Sequence, residues 1–198
     1  GSNAAWCHPV LFARIEAARA NNPDLKTVVI DPRRTATCES AHIHLALKPG
    51  SDAILFNGLL AYLHREGYTD RLYMDAHTQG GEEALAAAES ARNIAETARA
   101  CGLETSQVAA FFDLFARTGR VVTLYSQGIN QSSSGTDKVN AILNCHLATG
   151  RMGREGMGPF SLTGQPNAMG GREVGGLATQ LAAHMELENP DHRKLVQT

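Results

Sequence analysis

No apolar run in the 198 residues approaches the roughly 20 needed to cross a bilayer, and the start lacks the basic-then-apolar pattern of a secretory signal. The sequence therefore reads as soluble and cytoplasmic, with no membrane partner. Charge is also scarce. Charged residues make up 19% and the formal net charge is -2, so there is no broad basic surface and nucleic acid is not an expected partner. Cys7, Cys38, Cys101 and Cys145 stand singly. Without a C-x-x-C pair the sequence offers neither a zinc ribbon nor an iron–sulfur binding run, and no metal ligand is assigned. Each cysteine reads first as a small buried hydrophobe.

Familiar phosphate and nucleophile signatures are missing as well. A P-loop needs Gly-Lys-Ser/Thr at a helix start, whereas Gly135 is followed by Thr136-Asp137-Lys138. No G-x-G-x-x-G turn follows any strand, and no G-x-S-x-G elbow occurs.

What is there is an alternation of strands and helices long enough for one well-buried core. From Pro9 to Ala20 the residues Val10, Leu11, Ile15 and Ala18 recur near helical spacing, and Asn21-Asn22-Pro23 ends the pattern. "KTVVID" is a β-branched strand opening onto Pro32-Arg33-Arg34-Thr35, and "AHIHLAL" is a second strand candidate. Lys48 to Asp52 turns into the helix "AILFNGLLAYLHREG", with Ser51 or Asp52 as N-cap. Further helices are expected within Glu82–Ala100 and from Ser106 to Arg117; "RVVTLYS" is a third strand, and a helix follows over Thr136–Leu147. The pattern predicts an α/β fold. Residues 1–149 would form a three-layer, Rossmann-like domain with a mostly parallel sheet covered on both faces, its first strand truncated or upstream. Residues 150–198 are thick with glycine and read as an extension of loops and short helices with no lasting core element.

Asp31 to Thr35, Gly50 to Asp52 and Gln127 to Gln131 all follow strands, and in a parallel sheet such loops share one edge. Arginines there suit phosphates, and the Asp52 carboxylate can accept a paired contact from a guanine. The stretch "SQGINQSSSGTDKVN" offers many backbone donors and little bulk, as a cradle for a polar or anionic ligand does. Together these point to a nucleotide-bearing cofactor. The plainer account is that Asp52 caps its helix while Arg33 and Arg34 are solvated. His42 and His44 alternate on one strand at a spacing open to metal, but no third ligand is apparent; His8 and His146 read as capping or packed residues.

The run "GINQSSSGTDKVNAILNCHLATGRMGREGMGPFSLTGQPNAMGGREVGG" resembles the central portion of molybdopterin guanine dinucleotide (bis-MGD) oxidoreductases, and among them the catalytic subunits of assimilatory nitrate reductases. "GSNAAWCHP", "IDPRRT" and "LKPGSD" match earlier loops of that family in order, so the resemblance covers essentially the whole chain. Ser-Asn-Ala at the start is also a common remnant of tag cleavage. The resemblance implies a molybdenum enzyme that reduces nitrate to nitrite with electrons reaching it from a donor protein or domain through a 4Fe–4S cluster. It implies that this chain embraces part of a bis-molybdopterin guanine dinucleotide cofactor. Carried over position by position, Ser2, Asn3 and Cys7 lie in the first cofactor loop, Asp31, Pro32, Arg33, Arg34 and Thr35 in the second, and Gly50, Ser51 and Asp52 in the third. Gln127, Gly128 and Gln131 match pterin-side contacts. Arg172, in "GGREVGG", matches an arginine near the molybdenum, where a planar guanidinium suits a planar oxyanion; without the resemblance it reads as a loop charge.

The family's cluster cysteines and its cysteine ligand to molybdenum lie in a preceding region, and the segment embracing the other half of the cofactor lies downstream. The resemblance thus implies an internal fragment, inactive alone, whose first partner is the remainder of the parent chain. Two alternatives stand beside it: a fragment of a formate dehydrogenase-like molybdoenzyme, which shares the fold and pterin loops, and a non-catalytic module that binds a guanine nucleotide or a partner protein.

Overall fold

Short β-branched segments pair in parallel at two places. Val28–Ile30 (β1) lies beside Ile43–Leu45 (β2), with Val28 opposite Ile43 and Ile30 opposite Leu45, and Val122–Tyr125 (β3) lies beside Gly158–Ser161 (β4), with Leu124 opposite Phe160. This is a computed structural model, and it describes residues 2–89, 93–162, 164, 167–176 and 179–197. The helices are α1 Ala4–Cys7, α2 Pro9–Asn21, α3 Asp52–Arg65, α4 Arg71–His77, α5 Gly81–Glu89, α6 Ile94–Cys101, α7 Thr105–Arg117, α8 Gln127–Asn130, α9 Gly135–Ala148, α10 Ala168–Glu173 and α11 Pro190–Val196. The mixture is α/β, as the sequence pattern predicts. The helix expected within Glu82–Ala100 is instead two, α5 and α6, and residues 90–92 between them lie outside the described residues.

The expectation of one sheet covered on both faces needs correction. Among the described residues there are two separate two-stranded sheets, because the elements described between β2 and β3 are all helices and the partner of β3 comes from 158–161, beyond α9. Burial along β3 alternates, with Val122 and Leu124 exposed and Thr123 and Tyr125 partly buried, so helices cover one face only. Phe160, across from Leu124, is exposed on β4. The chain divides into compact units Gly1–Leu162 and Thr163–Thr198. The first runs past Thr149 because β4 pairs with β3 and both Arg151 and Leu162 are buried. In the second, α10, α11 and the 3-10 turn Ala182–His184 bury no residue.

The core gathers around α3. Leu55, Leu59 and Leu63 recur at intervals of four and are fully buried. Each is worth roughly 1.5–3 kcal/mol of transfer free energy. Phe111, Phe112 and Phe115 of α7 pack into the same cluster, with Phe111 set edge-on to Phe56 at 6.3 Å. Gly58 lets α6 approach, since a Cβ there would lie 2.7 Å from Thr97 Oγ1. Helices α3 and α9 run side by side in the same direction. Asp52 meets Lys138 near both starts, the Phe56 carbonyl accepts from Cys145 Sγ at 3.3 Å, and Leu60 shares a cavity wall with Leu147 and Ala148. Gly150, at φ +62, ends α9: its N–H donates to Leu147 O and that of Arg151 to His146 O, the double closure of a Schellman turn.

Candidate functional site

The loops expected to bind are tied to one another in sequence order. Thr37 Oγ1 accepts from Ala5 N at 3.0 Å and donates to Asn3 Oδ1 at 3.1 Å, joining the first loop to the segment after Thr35. Asn3 stands in the left-handed region, φ 40, at the start of α1; Ser2 is half-buried, and Cys7 is exposed. Asp31 is buried directly after β1. Its Oδ1 accepts from Arg33 N at 2.9 Å, a side-chain turn that throws Pro32, Arg33 and Arg34 outward to solvent while Thr35 stays half-buried. Neither the Arg33 nor the Arg34 guanidinium has an ion-pair partner among the described residues.

The second and third loops leave the same edge, because β1 and β2 are parallel and Ile30 is level with Leu45. Gly50 takes φ +86 with open space around it, as a tight turn requires. Ser51 occupies the N-cap position of α3 without capping: it is buried, and its hydroxyl donates to Lys48 O at 2.6 Å. Asp52 does not face solvent as a free carboxylate. Its Oδ2 lies 3.2 Å from Lys138 Nζ, in a pair whose side chains are only 13% and 8% exposed.

Lys138 belongs to the first turn of α9, so the same contact draws in the fourth loop. There Ser126 is buried, with Oγ 2.7 Å from both the Leu162 carbonyl and Gln127 Oε1, which holds the Gln127 amide against the end of β3. Gly128 and Gln131 are exposed. The turn into α9 depends on Gly135, where a Cβ would sit 2.4 Å from the Asn130 carbonyl oxygen. Parallel α3 and α9 thus bring the loops that precede them to one end. One cavity lies at the far end of α3 and α9, beside Met74, Gly81 and Leu147, and another adjoins the first loop, beside His8, Val10 and Arg14.

Arg172 is described within the second unit, exposed on α10, where its carbonyl accepts from Gln180 Nε2 at 3.0 Å. Its neighbour Glu173 pairs with His184 at 3.1 Å.

The histidines are engaged by the fold. His44 Nε2 donates to the Asp31 carbonyl at 2.9 Å, and His42 Nδ1 accepts from Thr27 N at 3.1 Å, so alternation on the strand serves the loop behind Asp31. His146 is fully buried with Nε2 2.7 Å from Thr123 Oγ1; burial, aided by the charge of Arg151, lowers its pKa to about 4. Thr37, His44 and Lys138 support the loops and escape sequence reasoning. Lys138 carries the one legible signal: a lysine in the first turn of a helix opposes the macrodipole and calls for a partner.

The sequence and the fold have known relatives. The sequence profile of the molybdopterin oxidoreductase family matches residues 1–197. A nitrate reductase of Klebsiella oxytoca is 55% identical over 195 residues, covering 98% of this chain and 22% of the relative. A nitrate reductase of Synechocystis is 42% identical over 197 residues (100% and 28%), and the assimilatory nitrate reductase catalytic subunit of Bacillus subtilis is 34% identical (98% and 27%). Acetylene hydratase from Pelobacter acetylenicus superposes with a TM-score of 0.67 at 22% identity over 74% of this chain and 20% of that one, a likeness of fold. The chain belongs to the molybdopterin oxidoreductase family. It spans about a fifth to a quarter of the length of these relatives.

Proposed function

We propose that this chain is part of a molybdenum-dependent nitrate reductase and supplies loops that hold part of a bis-molybdopterin guanine dinucleotide cofactor. The observation that carries the reading is the convergence of strand-end loops at the shared end of α3 and α9, locked by the Asp52–Lys138 pair. The donor set fits a nucleotide-bearing group. Arg33 and Arg34 stand out in solvent for phosphates, Asp52 is held as a carboxylate acceptor, and Gln127 and Gln131 bring amides with little bulk around Gly128. Asn3 is tied to the second loop through Thr37, and Ser2 and Cys7 stand beside it in the first loop.

The cofactor would supply two-electron redox chemistry, taking nitrate, two electrons and two protons to nitrite and water. A 4Fe–4S cluster held elsewhere in the parent polypeptide would relay electrons from a donor protein or domain. The role of this chain is to bind and orient. Arg172 would place nitrate through its planar fork. The uncovered face at Val122, Leu124 and Phe160 supports a larger three-layer, Rossmann-like region in the intact protein, since parallel sheets are buried on both sides. Residues 150–198 would form the glycine-rich extension near the reacting centre. Free cysteines support a cytoplasmic location, where thiols stay reduced.

The test is to assay the full-length polypeptide and these 198 residues with a reduced dye, against nitrate and against formate. Nitrate reduction by the full-length protein alone is expected. Formate oxidation without nitrate reduction would overturn the reading, as would turnover by the 198 residues.

A further inference from the structure

Lys138 is placed against ordinary helix electrostatics. It lies in the first turn of α9, where partial positive charge makes a cation unfavourable, and it is 8% exposed. A buried ammonium needs a partner. The partner is Asp52, in the first turn of α3, where a carboxylate is favoured. The contact is made to Oδ2 alone, at 3.2 Å, and carboxylate oxygens carry lone pairs for further donors. One ion pair therefore does two jobs. It fixes the direction of the Asp52 side chain, and it joins the loop after β2 to the loop after β3.

We propose that Lys138 is a positioning residue for guanine recognition: it orients the Asp52 carboxylate toward the nucleotide without touching the nucleotide itself. This rests on the reading that Asp52 contacts the guanine end of the cofactor. A group that orients a ligand-binding side chain commonly governs affinity nearly as strongly as the binding side chain does.

The experiment measures guanine nucleotide released by acid from full-length protein, per mole of folded chain, in D52N, K138M, K138R and D52N/K138M. Circular dichroism reports folding in each. The proposal expects nucleotide content to fall roughly tenfold in D52N and in K138M, no further fall in the double variant, and substantial recovery in K138R. If D52N is depleted while K138M is full, the reading of Asp52 stands and Lys138 is not a positioning residue. If D52N is full and K138M depleted, Lys138 acts directly, and both the reading of Asp52 and the positioning role fall. Full content in both overturns both. A loss of thermal stability in K138M at unchanged content would reduce the pair to a structural pin, against the proposal. Should K138M not accumulate as folded protein, K138L, which likewise removes the donor to Asp52, takes its place with the same expectations.

Discussion

Lys138 Nζ lies 3.2 Å from Asp52 Oδ2, so the first turn of α9 is pinned to the first turn of α3. Removing one partner leaves the other charge buried and alone, at a cost of about 3–5 kcal/mol, whereas replacing both by uncharged groups of similar size costs less. We expect K138M to lower the urea unfolding free energy by about 3 kcal/mol and D52N/K138M to lower it by less. Equal losses in the single and double variants would contradict this.

Gly135 passes so close to the Asn130 carbonyl that any Cβ would force the loop before α9 to move. Substitution by alanine is expected to destabilise by about 1–3 kcal/mol. Chemical denaturation checks the stability, and nucleotide content of the full-length variant should fall with it if the 126–134 loop holds the cofactor.

Arg151 closes the other end of α7. Its guanidinium lies 4.6 Å from the centre of the Phe115 ring and donates through Nη2 to the carbonyls of Phe115 at 2.9 Å and Thr118 at 2.7 Å. Lysine keeps the charge and loses the fork, so R151K should retain part of the stability that R151M loses, a loss of about 3 kcal/mol. Equal unfolding midpoints for the two variants would be the contrary result.

His146 makes stability pH-dependent. Its pKa is lowered to about 4 by burial, so the folded protein holds it neutral while the unfolded chain takes up a proton below about 6.5. The contribution is complete above about 6.5 and is lost as pH falls from there toward 4, at about 1.4 kcal/mol per unit and so ~3 kcal/mol in all. Unfolding free energies measured from pH 7 to 4 should show this slope, and H146Q should flatten it.

Arg172 is exposed, so R172A should leave stability within about 0.5 kcal/mol. In the full-length protein it should lower kcat/KM for nitrate roughly a hundredfold if it orients the anion. An unchanged kcat/KM would remove it from the site.

The helices were legible where burial imposes a period: Leu55, Leu59 and Leu63 announce α3, and Phe111, Phe112 and Phe115 announce α7. Strand β4 was not, because Gly158 and Pro159 read as breakers; proline is tolerated in a strand that ends a sheet, where one row of backbone bonds is unused. The loop residues Asp31, Gly50 and Gln127 could be named from strand endings and family resemblance. What holds them could not. Thr37, His44 and Lys138 act on residues distant in sequence, and only packing brings each to its partner. The short pairing of β3 with a downstream segment also defeated the expectation of a single sheet, since strand composition says nothing about which strand is the neighbour.

The most direct test of the central claim is a density map of the intact, cofactor-loaded polypeptide. The account predicts cofactor atoms within hydrogen-bond distance of Asp52, Gln127 or Gln131 and of the arginines after β1. A cofactor lodged away from the common end of α3 and α9, with none of those side chains touching it, would contradict it.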